Sequence, residues 1–388
     1  MATWDIFCSV VDNFGDIGVC WRLARQLAAE HSISVRLWVD DMSVFQVLCP
    51  KADSKSAIHP IEHVEVRSWV SMPSDVTPHA VVVEAFACNP PDAFVEAMAA
   101  LPVKPIWINL EYLSAEDWVE GCHRLSARHP RLPLTRHFFF PGFTPKTGGL
   151  IRESALFANR DALQANPIGQ WQIFAALGAT EADQGAERIS LFCYDNPALP
   201  RLLAHWQQGA QKLVCVADGK PRQQIEHWLG TAFRVGTRVQ RGALTLIALP
   251  FLSQSDYDQL LWSCNMNFIR GEDSFVRAQW AGRPLVWHIY PQDEQTHLTK
   301  LDAFLDQYAA QSPALAADAH SALRAFHRAW NEDAGARIEV AWDTLAAQAA
   351  PMRQHAEAWA EHLAAQPDLA SQLTEFAGQL FSQAALNR

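Results

Sequence analysis

Trp4-Asp-Ile-Phe-Cys-Ser-Val10, Asp12-Asn-Phe-Gly-Asp-Ile-Gly18 and Val19–Ala29 follow one another almost without a break, and their order decides the fold. The first is a short apolar run, the form of a buried strand. The third carries apolar residues at helical spacing. The stretch between them, rich in glycine and aspartate, predicts a loop that joins strand to helix. The same alternation spreads outward. Ser34–Val39, Val81–Val83 and Ile106–Leu110 read as further strands, with proline and aspartate clustered between them. This is the pattern of a parallel sheet covered by helices.

An aromatic run, His137–Phe143, leads into the turn-rich Thr144-Pro-Lys-Thr-Gly-Gly149, which marks the approach to a domain boundary. The linker is expected to end near Gly169. Beyond it the alternation resumes. Ile189–Cys193, Leu213–Ala217, Leu244–Ala248, Met266–Ile269 and Leu285–His288 read as strands, and Pro197–Trp206 and Asp256–Ser263 as helices. From Thr296 the chain is helical and rich in alanine and leucine. The expected class is α/β, with a Rossmann-like doubly wound domain over residues 1–160 and a second over 170–360. A final helix, about 365–388, is expected to pack back on the first domain. A length of 388 residues suits two domains at roughly 100–200 residues each.

The net charge of −11 argues against nucleic-acid binding through a broad basic surface. No apolar run approaches the ~20 residues of a membrane span. The first residues lack the basic and apolar regions of a signal peptide, so a cytoplasmic location is expected. None of the eight cysteines forms a CxxC pair, and Cys8, Cys193 and Cys215 lie in strand-like segments. They read as reduced core thiols rather than a zinc site or a disulfide framework. Neither a metal nor a cofactor is expected.

Two strand-to-helix junctions carry the candidate chemistry. In a doubly wound sheet, the carboxyl end of a strand faces the ligand crevice. At the first junction, Gly15 and Gly18 are expected to let the backbone turn and approach a ligand. The GxGxxG spacing of a dinucleotide site is missing. Asp12 and Asp16 would repel a pyrophosphate but suit an acceptor nucleophile or sugar hydroxyls. One would act as general base and the other would orient it; the competing reading is a helix cap.

The second junction is Arg270-Gly-Glu-Asp-Ser274, after the strand Met266–Ile269 and before a helix over Phe275–Ala281. Gly271 permits close approach, and Asp273 or Ser274 is the expected N-cap. The free N–H groups of the helix start would stabilise a diphosphate leaving group without a metal. Arg270 would pair with phosphate or with a neighbouring carboxylate, and Glu272 and Asp273 would bind sugar hydroxyls. The competing reading is a capped surface helix with a local ion pair. Phe192 and Tyr194 alternate after a strand, so they share a face and offer a platform for a base, or are simply buried aromatics. Phe251 and Gln254 end another strand, and Gln254 suits a pyrimidine edge. Tyr290 follows the last strand within reach of phosphate. No catalytic role is assigned to His123, His137 or His288.

Asp12-Asn-Phe-Gly-Asp-Ile-Gly-Val-Cys-Trp-Arg22, Asn109-Leu-Glu-Tyr-Leu-Ser-Ala-Glu-Asp-Trp118, Phe138-Phe-Phe-Pro-Gly-Phe143 and Arg270-Gly-Glu-Asp-Ser-Phe-Val-Arg-Ala-Gln-Trp280 together resemble the protein-arginine rhamnosyltransferases of bacterial elongation factor P, the EarP family. The resemblance runs over nearly the whole chain. It implies a GT-B fold, two Rossmann-like domains facing a central cleft, and an inverting glycosyltransferase. The donor implied is dTDP-β-L-rhamnose, the acceptor one arginine of elongation factor P, and the nucleotide lies in the second domain. On this resemblance Asp16 is the base, Asp12 supports it and Glu272 is essential. Phe192, Tyr194, Gln254, Asp273, Ser274 and Tyr290 would hold the thymidine diphosphate. With Asn13, Phe14, Gly15, Phe251, Arg270 and Gly271 they make up the expected donor set. An acidic chain meeting a basic acceptor tip predicts salt-sensitive association. The alternatives are a GT-B transferase for a small-molecule or lipid-linked acceptor, and an inactive protein that only binds a nucleotide sugar.

Overall fold

The computed structural model describes residues 2–11, 14–52, 58–292, 296–311, 315–332 and 337–386. In chain order the first elements are β1 (Thr3–Cys8), α1 (Phe14–Glu30), β2 (Ser34–Val39), α2 (Met42–Leu48), β3 (Ile58–Ile61), β4 (Val64–Ser68), β5 (Val81–Ala85), α3 (Asp92–Ala100), β6 (Ile106–Leu110), α4 (Trp118–Cys122), β7 (Ser126–Arg128) and β8 (Thr135–Phe139). Then come α5 (Leu156–Gln164), α6 (Pro167–Ala176), β9 (Glu187–Leu191), α7 (Leu199–Trp206), β10 (Lys212–Val216), α8 (Lys220–Leu229), β11 (Arg238–Arg241), β12 (Leu244–Ala248), α9 (Gln254–Ser263), β13 (Met266–Arg270), α10 (Glu272–Trp280) and β14 (Leu285–His288). Among the described residues, five further helices follow: α11 (Thr296–Ala310), α12 (Ala317–Asn331), α13 (Ile338–Ala346), α14 (Ala349–Ala364) and α15 (Leu369–Leu386).

The chain divides into two compact units, Met1–Ser154 with Leu363–Arg388, and Ala155–His362. The division falls ahead of the expected linker because α5 belongs to the second unit. There the Gln164 amide donates to the carbonyls of Trp262 and Ala281, and Arg160 donates to that of Trp280.

In the first unit the strands run β3-β4-β2-β1-β5-β6-β8-β7. The six inner strands are parallel, and β3 and β7 close the edges antiparallel. Sequence reading missed both edge pairs, and β8 occupies part of the aromatic run taken for the domain boundary. The strand alternation divides the core. Trp4, Ile6 and Cys8 face α1 and the Leu369–Ala377 part of α15, while Phe7, Trp38, Val82 and Trp107 face Phe94, Val95 and Met98 of α3.

Asp5, fully buried, fixes β1 in place. Its carboxylate accepts from Arg36 at 2.5 and 2.9 Å, from Trp38 Nε1 at 2.8 Å and from the backbone N–H of His79 at 2.8 Å. Loss of that carboxylate would leave Arg36 buried without its acid, at a cost of about 3–5 kcal/mol.

In the second unit the order is β11-β12-β10-β9-β13-β14, parallel except for β11. One face packs Leu213, Cys215 and Ile247 against Phe174 of α6 and Leu260 of α9. Behind β13, Phe268 meets Trp206, Phe326, Trp330 and Trp342 edge-on or stacked, so three of the chain's 15 tryptophans share one core cluster. Among the described residues, no helix is long and apolar enough to cross a membrane. None of the eight cysteines forms a disulfide, and six of them are buried.

Candidate functional site

Both sheets reverse their strand order beside their first strand. In the first unit β1 lies between β2 and β5, and in the second β9 lies between β10 and β13. Strand carboxyl ends at such a reversal are where doubly wound sheets bind ligands.

In the first unit, the segment after β1 is held from two sides. Ser9 Oγ and the Val10 N–H donate to the Asp40 carboxylate at 2.5 and 2.9 Å. The Val11 N–H donates to Asp16 Oδ2 at 2.9 Å. Helix α1 begins at Phe14, so Phe14–Gly18 is its first turn and not a loop. Gly15 and Gly18 are helical, and the expectation that they turn the chain is corrected. Asp16, the third helical residue, is 3% exposed. Its reach back to Val11 pins the chain ahead of α1 to the first turn of the helix. The other oxygen, Oδ1, accepts from the hydroxyl of Tyr112 at 3.2 Å. Asp12 and Asn13 lie outside the described residues.

The loops after β5 and β6 flank this carboxylate. Asn109 joins them: its amide oxygen accepts from the Ala87 N–H at 3.2 Å, and its amide nitrogen donates to Glu111 at 2.6 Å. Burial raises the pKa of Glu111, opposed by the Asn109 bond and by Arg136. Glu84, wholly buried one strand away, is also raised by burial, against the pull of Arg136 and Trp107.

In the second unit the junction after β13 is a single residue. Gly271, with φ 65° and ψ −178°, is the N-cap of α10, which starts at Glu272. The expected N-caps, Asp273 and Ser274, are already helical. Only glycine adopts that backbone readily, and it sends the chain from strand to helix in one step.

Arg270 does not take a carboxylate as its partner among the described residues. Its guanidinium lies over two rings, 4.5 Å from the Phe192 centroid and 4.4 Å from that of Tyr194. Tyr194 in turn meets Tyr290 edge-on at 5.4 Å and His288 at 5.3 Å. Burial, with Arg270 nearby, holds the His288 pKa down to about 3, so the imidazole is neutral. Phe192, Tyr194, Arg270 and Tyr290 thus form one cluster at the ends of β9, β13 and β14.

Gln254, the first residue of α9, donates to Asp273 at 3.3 Å. Deeper in, the fully paired ions Asp258 and Arg277 tie α9 to α10 at 3.0 and 2.8 Å. Ser274 is buried in the first turn of α10, Glu272 opens that turn, and Phe251 lies half-exposed on the loop after β12. Sequence reasoning missed Asp40, Phe86, Tyr112 and the Asp258–Arg277 pair. Tyr112 and Arg277 stand inside the long motifs quoted above, which is the one signal that pointed to them.

A family model for the elongation factor P (EF-P) rhamnosyltransferase EarP matches residues 4–378. The chain belongs to the EarP family. Over 377 residues it is 51% identical to a protein-arginine rhamnosyltransferase of Pseudomonas putida, covering 97% of this chain and 98% of the relative. The counterpart in Pseudomonas aeruginosa is 48% identical over 378 residues, 97% and 99% of the two chains. A solved structure describing EarP-mediated arginine glycosylation of translation elongation factor EF-P superposes with TM-score 0.70 at 39% identity, covering 98% of this chain and 99% of that one. A Siraitia grosvenorii transferase in complex with UDP, 10% identical with TM-score 0.52, shares the fold. This EarP-family chain is a glycosyltransferase with the GT-B fold.

Proposed function

We propose that the enzyme transfers rhamnose from dTDP-β-L-rhamnose, with inversion, to one arginine side chain of translation elongation factor P, and does so without a metal. The observation that carries the chemistry is Asp16: a buried carboxylate past the carboxyl end of β1, held by the Val11 N–H and the Tyr112 hydroxyl. The sugar and the acceptor rest on the relatives, which are arginine rhamnosyltransferases along nearly their whole length.

A guanidinium keeps its protons to a pKa above about 12, so no carboxylate deprotonates it in advance. Asp16 instead orients one guanidinium nitrogen and takes its proton as that nitrogen bonds to the anomeric carbon. Asp12 assists by clamping the guanidinium fork. The bond between the anomeric carbon and the diphosphate oxygen breaks, and its electron pair leaves with thymidine diphosphate. The product guanidinium remains a cation, so charge balances.

The donor belongs to the second unit. The α10 N-terminus and Arg270 face the diphosphate charge, while Phe192, Tyr194 and Tyr290 border the nucleotide. Gln254, Phe251, Asp273 and Ser274 complete that side, and Glu272 contacts sugar or acceptor. Asn13, Phe14 and Gly15 are assigned to the donor on the family resemblance alone.

The test is a mass spectrum of purified elongation factor P after incubation with enzyme and dTDP-β-L-rhamnose, with and without EDTA. One added deoxyhexose mapped to a single arginine, formed equally in EDTA and absent from an Arg→Lys acceptor, is expected. An unmodified acceptor overturns the reading.

A further inference from the structure

We infer that Tyr112, held in place by Phe86, is a positioning residue for the Asp16 carboxylate. The inference rests on the reading of Asp16 as the base. Tyr112 is the second residue after β6, and its hydroxyl donates to Asp16 Oδ1 at 3.2 Å across 96 positions of sequence. The Val11 N–H reaches Oδ2 at 2.9 Å. Donors on both oxygens, from two different segments of the chain, fix both the place and the rotation of the carboxylate plane.

Tyr112 is 41% exposed, so burial alone does not hold it. Phe86 does. Its ring stacks on Tyr112 with centroids 4.4 Å apart and planes 15° from parallel. Phe86 itself sits in left-handed backbone at φ 57°, followed by Ala87 at 52° and Asn89 at 50°. Bulky residues avoid this region, and three such residues within one four-residue stretch persist only where the surroundings impose them. Here the Phe86 N–H donates to the Leu110 carbonyl at 2.7 Å, and the Ala87 N–H to Asn109 at 3.2 Å. Both bonds tie the loop after β5 to the end of β6, which carries Tyr112. The strained turn therefore delivers a flat ring beneath the phenol, and the phenol delivers a proton donor to the base. A misplaced base loses rate and not ground-state binding, since its proton transfer occurs only in the transition state.

The experiment compares Asp16→Asn, Tyr112→Phe, Phe86→Leu and the double variant Phe86→Leu/Tyr112→Phe in steady-state transfer to elongation factor P, with donor affinity by calorimetry and thermal melting alongside. Tyr112→Phe keeps the stack and removes the hydroxyl. It is expected to lower kcat roughly 10- to 100-fold, with acceptor KM, donor affinity and melting temperature unchanged. Phe86→Leu is expected to lower kcat in the same sense, and the double variant to be no slower than Tyr112→Phe alone. Phe86→Tyr, which retains the ring, restores turnover. Wild-type kcat in Tyr112→Phe overturns the inference, and so does a loss confined to acceptor KM, which would make the phenol an acceptor contact. Full turnover in Asp16→Asn sinks the base assignment itself, whatever Tyr112 does; inactive Asp16→Asn beside fully active Tyr112→Phe sinks only the positioning role.

Discussion

The first turns of α1 and α10 occupy equivalent places, each a helix start just past the carboxyl end of a strand beside its sheet's reversal point. Each carries acid in that turn, Asp16 in one and Glu272 and Asp273 in the other. What the surroundings immobilise differs. Around α1 the fixed group is an anion, Asp16, gripped by a backbone N–H and a phenol. Beside α10 the fixed group is a cation, Arg270, laid over two aromatic rings that present their negative faces to it. Doubly wound sheets supply the same place twice, and the sign of the anchored charge marks which reactant each place suits: a guanidinium near the anion, a diphosphate near the cation.

Exchanging the anchored charges tests this contrast most severely. Asp16→Asn is expected to lose roughly 10²–10⁴-fold in kcat, the range of general-base catalysis, while calorimetry shows thymidine diphosphate bound as before. A parallel loss of nucleotide affinity would erase the distinction between the two turns. Arg270→Met keeps bulk against Phe192 and Tyr194 but removes the charge. Donor affinity should then fall about 10- to 100-fold, the worth of one or two charge-assisted hydrogen bonds, and an unchanged dissociation constant would detach Arg270 from the diphosphate.

A smaller effect separates how the two helices begin. Gly271→Ala forces a side chain into φ 65° and should cost about 1–3 kcal/mol, read as a lower melting temperature with weaker donor binding. Gly15→Ala, in regular helix, should carry no such backbone penalty, and equal destabilisation of the two variants would contradict the assigned backbones.

The gentlest probe is acid. Burial lowers the pKa of His123 in the first unit to about 4, and those of His327 and His288 in the second to about 4 and 3. Phe140 N–H donates to His123 Nδ1, and Trp287 N–H to His327 Nε2, so protonation would break a bond that secures a strand end in each unit. Since the folded values lie below the ordinary 6.5, the unfolded chain takes up protons first as pH falls. Stability present above pH 6.5 is therefore lost between 6.5 and about 4 in both units, and melting temperatures across that window measure it. A flat profile would contradict the buried neutral rings.

β1, β2, β5, β6, β9, β10, β12 and β13 were legible because they are buried along most of their length and so read as apolar runs. The pairs β3–β4 and β7–β8 were not: β7 is exposed along its length, β3 alternates exposed with buried, and β4 and β8 are only partly buried, so none leaves such a run. Helix starts were misplaced for a related reason. Neither Phe14-Gly-Asp nor Glu272-Asp-Ser looks helical when glycine and acid are taken as loop formers, yet α10 is started by backbone geometry at Gly271 with no side-chain cap. The candidate site divides the same way. Residues at strand ends, such as Arg270 and Tyr194, follow from topology, whereas Tyr112 acts on a residue 96 positions away and nothing local announces it. The sugar and the acceptor were legible only through family likeness.

The return of α15 to the first unit has a consequence for biosynthesis. Leu369, Leu373 and Phe376 belong to the same core as Ile6 and Phe139, and the Leu369 N–H bonds the Leu150 carbonyl. A ribosome that has finished residue 154 has therefore synthesised every described strand of that sheet but not the helix that covers it. The whole second unit must be translated before the missing piece emerges. During that interval the nascent chain displays an uncovered apolar sheet face, the kind of surface that trigger chaperones and aggregation compete for. A stop codon a few dozen residues early would leave it that way permanently.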